Sequence, residues 1–131
     1  MFTIELPYPP SVNRYYRHVG FRTLISREGR AYRQRVCLAL RLAGVQPLDG
    51  ALAVGIDLYP PDGRRRDADN TQKALLDALQ HGRAFHDDSH VKKLLTIMRE
   101  QVVPGGKVIV CILPLDLSTV KEIQHEIRSS T

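Results

Sequence analysis

The chain opens on Phe2-Thr3-Ile4-Glu5-Leu6, where apolar and polar residues alternate with the period of a half-buried strand, and Pro7, Pro9 and Pro10 stop it. The period then changes to that of a helix. Tyr32, Val36, Ala39, Leu40 and Ala43 share one stripe of a helix that Ser26 caps and Gly44 ends, with arginines filling the other face. After the turn Gln46-Pro47-Leu48-Asp49-Gly50, alternation returns. Leu52, Val54, Ile56 and Leu58 interleave with Ala53, Gly55, Asp57 and Tyr59, and Pro60, Pro61 and Gly63 close that strand. A second helix is predicted from Asn70 to about Gln80, capped by Asp69 or Asn70, burying Leu75, Leu76 and Leu79 and ending at Gly82. Val91 to Val103, the turn Pro104-Gly105-Gly106 and Lys107 to Leu113 read as an antiparallel hairpin. Thr119-Val120-Lys121-Glu122 fits a capping box for a short final helix with Val120, Ile123 and Ile127 on one stripe. The order β-α-β-α-β-β-α predicts an α/β (α+β) single domain with one mixed β-sheet and helices packed on it. Residues 1–115 form the body and residues 116–131 a C-terminal helical extension of the same domain.

Length fits this picture, since 131 residues bury a sizeable core without disulfides. Cys37 and Cys111 sit among apolar residues with no Cys-x-x-Cys spacing, which reads as two buried free thiols rather than a zinc site. No apolar run approaches the roughly 20 residues of a membrane span, and no leader opens the chain, so the expected compartment is the cytoplasm, with no membrane partner. Charge changes the picture more. The net charge is +5, yet residues 1–43 alone hold eight arginines against Glu5 and Glu28, a balance of +6. A basic protein that concentrates its carboxylates at one spot suits a polyanion bound broadly and attacked locally through a metal. For Arg27 to Arg41 the alternative is a merely solvated basic helix face.

The carboxylates concentrate in Arg64-Arg65-Arg66-Asp67-Ala68-Asp69-Asn70-Thr71-Gln72-Lys73, and Asp87-Asp88 follows one helix later. In an extended backbone the i, i+2 spacing sends Asp67 and Asp69 to the same side, where they can share a hard cation such as magnesium. Arg64, Arg65 and Arg66 then read as phosphate ligands, and Lys73, one turn after Asp69, faces the same site. Asp88 returns the chain toward the cluster as a third carboxylate. Asp77 reads as structural or partner-facing, paired with Lys73 four residues earlier. His86 and His90 suit outer contacts better than ligation of a magnesium-type ion. Upstream, Asn13, Arg14, Tyr15, Tyr16, Arg17 and His18 mix groups that contact phosphate, sugar or bases, against the alternative that Tyr15 and Tyr16 pack on the domain edge. Lys92 and Lys93 add positive charge to the first arm of the expected hairpin.

Arg64-Arg65-Arg66-Asp67-x-Asp69-Asn70-x-x-Lys73, then Asp77-Ala78-Leu79 and Asp87-Asp88, with Pro9-Pro10-Ser11-x-Asn13-Arg14-Tyr15-Tyr16-Arg17 upstream, closely resembles the RusA family of Holliday-junction resolvases. The resemblance spans roughly residues 3–113 in consistent order; Val12 departs from it, standing where the family often has a second Asn. It implies a metal-dependent, structure-selective endodeoxyribonuclease, of cellular or prophage origin, that resolves four-way junctions in recombination and repair. It also implies that Asp67, Asp69 and Asp88 are metal-binding catalytic acids, that Lys73 is the catalytic lysine, and that the protein is a homodimer. Mg2+ is the expected cofactor, with Mn2+ as a substitute, and branched DNA the expected partner. Two other readings stand beside this one. A non-catalytic DNA-binding module would need only the basic loop and helix, and a transferase could use Asp-x-Asp for a metal-bound sugar nucleotide. The absence of a Gly-rich nucleotide loop weighs against the transferase.

Overall fold

A computed structural model describes residues 1–116. Alternation at the start becomes strand β1 (Phe2–Leu6), with Ile4 and Leu6 buried. A one-turn helix α1 (Val12–Tyr15) and a two-stranded hairpin, β2 (Tyr16–Val19) with β3 (Arg22–Ile25), occupy the segment that the pattern leaves as a loop. Four-residue strands that leave most side chains in solvent carry no alternation to detect. Their turn is made by Gly20 at φ +62°.

Helix α2 (Arg27–Leu42) starts where Ser26 predicts: the Ser26 hydroxyl accepts the Gly29 N–H at 2.9 Å. It also donates to the Arg14 and Tyr15 carbonyls, which ties the start of α2 to α1. Tyr32, Val36 and Leu40 are buried as the stripe predicts, whereas Ala39 is half-buried and Ala43 is exposed. Strand β4 (Leu52–Tyr59) follows with Leu52, Val54, Ile56 and Leu58 inward. Helix α3 (Gln72–His81) begins later than the expected Asn70, after a 3-10 turn over Ala68–Thr71. Thr71 precedes it with no side-chain cap, so neither Asp69 nor Asn70 caps this helix. Ala74, Leu75, Ala78 and Leu79 form its buried face, with Leu76 at the margin. Gly82 ends α3 at φ −79°, and the left-handed residue is Arg83 at φ 63°. Gly82 serves close packing instead, because a Cβ there would lie 2.6 Å from Leu40 Cδ1.

The expected hairpin at the C-terminal end does not form. Strand β5 (Val91–Met98) lies parallel to β4, while β6 (Lys107–Pro114) runs antiparallel between β1 and β4, giving the order β1-β6-β4-β5. Periodicity identifies a strand but not its neighbour. Val108, Val110 and Ile112 are fully buried, which suits β6 to the centre, whereas the lysines and scattered apolar residues of β5 suit an edge. Between the two, Arg99 N–H donates to Leu58 O at 2.8 Å and Val103 N–H to Pro60 O at 2.9 Å, leading the chain across the end of β4. The sheet is mixed and α2 and α3 pack over it, with Tyr32, Leu40, Leu75, Leu79 and Phe85 closing the core. Cys37 and Cys111 are free and half-buried rather than fully buried. No described helix is long and apolar enough to cross a membrane. The expected final helix from Thr119, and with it the extension, lies outside the described residues.

Gly29 tests the docking of α2 on α1. A Cβ there would lie 2.8 Å from Ile25 Cγ1 and closer still to the Tyr15 carbonyl oxygen, which is backbone and has no room to yield. Helix propensity alone favours alanine by about 1 kcal/mol, and overpacking opposes it by about 1–3 kcal/mol. Gly29→Ala is expected to lower the denaturant midpoint; a raised midpoint would show that α1 moves freely against α2.

Candidate active site

The site begins where β4 runs out. Pro60 and Pro61 end the strand, and Asp62 then organises the arginines: its Oδ1 accepts the Arg64 N–H at 2.9 Å and Arg66 Nη1 at 2.6 Å. This is an Asx-type turn closed by an i, i+4 ion pair. The Arg66 hydrogen bond first, and the Arg64 N–H second, hold the Asp62 carboxyl down at about 2. Asp62 has no place in the sequence-based site, although Pro-Asp-Gly with an arginine four residues on is a visible signal for it.

Asp67 follows in extended conformation and its carbonyl accepts the Asn70 N–H at 3.2 Å, which starts the 3-10 turn carrying Asp69. The backbone is therefore extended only at Asp67, and the two acids are related by a turn rather than by a strand. Among the described residues neither carboxylate is engaged by the neighbouring arginines, because Arg64 and Arg66 turn to Asp62 instead. Two exposed carboxylates two residues apart, free of ion pairs, are a donor set that suits a hard divalent ion, which needs only one or two carboxylates from the protein. Asp67 lines a cleft of about 490 Å³ together with Arg14, Arg35, Arg64, Arg65 and Arg66. Arg35 is an addition; from the sequence it is one of several arginines along α2.

On α3, Gln72 Nε2 donates to Thr96 Oγ1 at 2.9 Å and fixes the helix start on β5. Lys73 is exposed, its Nζ 5.2 Å from the centre of the Tyr16 ring. Asp77 is structural, as expected, but its partner is not Lys73: Arg33 Nη2 reaches it at 2.7 Å and the Tyr15 hydroxyl also donates to it. Tyr15 is fully buried, so it offers no ring face to DNA and leaves the set of expected contacts. Tyr16 is half-buried.

Asp88 lies at the opposite end of α3. Its N–H donates to Gln80 Oε1 at 2.9 Å, in the last turn of the helix, while Asp67 and Asp69 precede the first. Ten helical residues span about 15 Å. The expected convergence of three acids is thus not made within one chain, and no cluster of three metal-ligating side chains is present among the described residues. Asp87 caps the turn 88–90 by accepting the Ser89 N–H, which holds its carboxyl below the usual range. His86 pairs with Asp49 at 2.9 Å, and His90 Nδ1 is buried without a partner. Asn13, Arg17, Lys92 and Lys93 are exposed but lie outside the lining of the arginine cleft.

The Endodeoxyribonuclease RusA family matches residues 7–111 of the chain. Crossover junction endodeoxyribonuclease RusA of Escherichia coli (strain K12) is 43% identical over 110 residues, covering 81% of this chain and 88% of that protein. The protein of the same name from Shigella sonnei (strain Ss046) and the crossover junction endodeoxyribonuclease of Enterobacteria phage 82 are each 44% identical over the same shares.

The Asp62 pair gives a pH test. A depressed folded-state pKa contributes stability above the unfolded value near 3.8, and that contribution is lost as pH falls toward about 2. A carboxyl-detected NMR titration is expected to place Asp62 near 2 and, in Arg66→Gln, to move it up toward 3.8. An unmoved midpoint would mean that Arg66 does not hold it.

Proposed function

The chain belongs to the RusA family of endodeoxyribonucleases, and from that premise we propose that it resolves four-way DNA junctions by metal-dependent hydrolysis, acting as a two-fold dimer in the cytoplasm. The activity serves DNA recombination and repair. The observation that carries the reading is the pair Asp67 and Asp69, free of ion pairs with the arginines beside them, with Asp67 lining a cleft that holds five arginines. A binding module needs the arginines alone; carboxylates left uncompensated there repel a polyanion unless a cation stands between them.

Magnesium, with manganese as substitute, is the proposed ion, held by Asp67 and Asp69. When bound, such an ion activates water and neutralises charge on the non-bridging oxygens. The chain's own residues do the rest. Arg14, Arg64, Arg65 and Arg66 bind the flanking phosphates, and Lys73 places a compact positive charge by the reacting phosphate. Asn13, Arg17, Lys92 and Lys93 contact the outer duplex arms.

Asp88 stands a helix length from this pair, and a second copy resolves the separation. Under a two-fold axis, Asp88 of one subunit completes the Asp67–Asp69 pair of the other, and two such sites match the near two-fold symmetry of a four-way junction. Strand β5 supports self-association, since it is an open edge of the sheet with Leu95 55% and Ile97 37% exposed.

A labelled four-way junction incubated with and without magnesium tests the activity directly, and cutting is expected only with the ion. Asp67→Asn, Asp69→Asn and Asp88→Asn are each expected to slow cleavage by roughly a hundredfold or more while junction binding is kept, and Asp87→Asn much less. Near-normal cutting by any of the first three removes that residue from the site. The dimer has its own test. Asp69→Asn and Asp88→Asn chains, inactive alone, are expected to regain single-strand nicking when mixed, because one shared site is then intact; continued inactivity would mean that each site is built within one chain.

A further inference from the structure

Tyr16 touches the proposed catalytic lysine, and its placement is unusually constrained. Lys73, Asp77 and Gln80 follow one another at turn spacing along one face of α3. At the middle of that face Asp77 accepts from the Tyr15 hydroxyl and from Arg33, whose Nε also donates to the Tyr15 hydroxyl at 2.9 Å. The Arg33 guanidinium lies 5.8 Å from the Tyr15 ring centre, so Tyr15 is held at its hydroxyl and across its ring. Tyr16 packs edge-on against it, with centroids 4.8 Å apart and planes at 76°. Over the Tyr16 ring sits the Lys73 ammonium at 5.2 Å. Burial, and then the Asp77 charge, keep the Tyr16 phenol protonated, so the ring face stays available to a cation.

A lysine is a point charge on a flexible four-carbon stem, and charge stabilisation is effective only when it is in place before the reaction. Among the described residues Lys73 makes no ion pair with a carboxylate that would fix it. Its described contact is instead with the Tyr16 ring. We propose that Tyr16 is a positioning residue for Lys73: its ring, braced by the Tyr15 that Asp77 and Arg33 lock in place, holds the ammonium ready for the reacting phosphate. The proposal rests on the reading of Lys73 as the group that meets that phosphate. It differs from a direct contact between Tyr16 and DNA, which would act on binding.

The test is a double-mutant cycle in single-turnover cleavage at saturating junction and magnesium, with junction affinity of the metal-free protein measured alongside. Tyr16→Leu is expected to slow cleavage about five- to tenfold at unchanged affinity, at a temperature where the variant is fully folded, and Tyr16→Phe, which keeps the ring, to restore the rate. In a Lys73→Ala background, Tyr16→Leu is expected to have no further effect. Additive losses in the double variant, or a loss of affinity matching the loss of rate, would overturn the positioning role. A wild-type rate in Lys73→Ala alone would instead overturn the reading of Lys73 itself, and that outcome is visible before the cycle is closed.

Discussion

Strands β4 and β5 run parallel, and parallel strands cannot be joined by a tight turn: the chain must leave one end of the sheet and re-enter at the other. Helix α3 makes that crossing. Everything distinctive about the candidate site follows from it, because the segment leaving β4 carries Asp67 and Asp69 and the segment entering β5 carries Asp88. A single chain therefore presents its acids at two places a helix apart, with the five-arginine cleft beside Asp67. The helix that separates the acids also displays Lys73 and anchors Tyr15 through Asp77, so one element carries both the geometry and the chemistry.

The distribution of charge is equally ordered. Outside the site, acids are spent on nearby bases: Asp57 on Arg99, Glu5 on Lys107 and Asp49 on His86. Exposed pairs of this kind contribute about 0–1 kcal/mol each, too little to explain them by stability alone. At the site, the effect of Asp62 is one of placement. Asp62 engages the Arg66 guanidinium and the Arg64 backbone, so Arg66 is not spent on Asp67 or Asp69.

Local pattern made much of this visible. Ser26, the α2 stripe and the inward face of β4 are all properties of near neighbours in sequence, and the structure places them largely as the periodicity predicts. What the sequence hid are facts about distant neighbours. The partner of β6 is not β5, because the fully buried Val108, Val110 and Ile112 and the half-buried opposite face, not proximity along the chain, suit β6 to the centre. Tyr15 and Tyr16 are adjacent and chemically alike, yet one is buried on Asp77 and the other lies under Lys73, a split that depends on Arg33 from α2. Asp88 is expected from the sequence to return toward Asp69, whereas the parallel register of β4 and β5 puts it at the far end of α3.

The position of β6 in the sheet also sets an order of assembly. Strand β1 has β6 as its sole partner in the described sheet, and β4 has β6 on the side away from β5, so residues 2–6 stay unpaired until residues 107–114 have been synthesised. Contacts between residues about a hundred apart in sequence are slow to close and wait until both segments have been synthesised. A nascent chain thus exposes arginine-rich segments well before it has a folded sheet to hang them on. Whatever needs the complete sheet therefore waits for β6 to emerge.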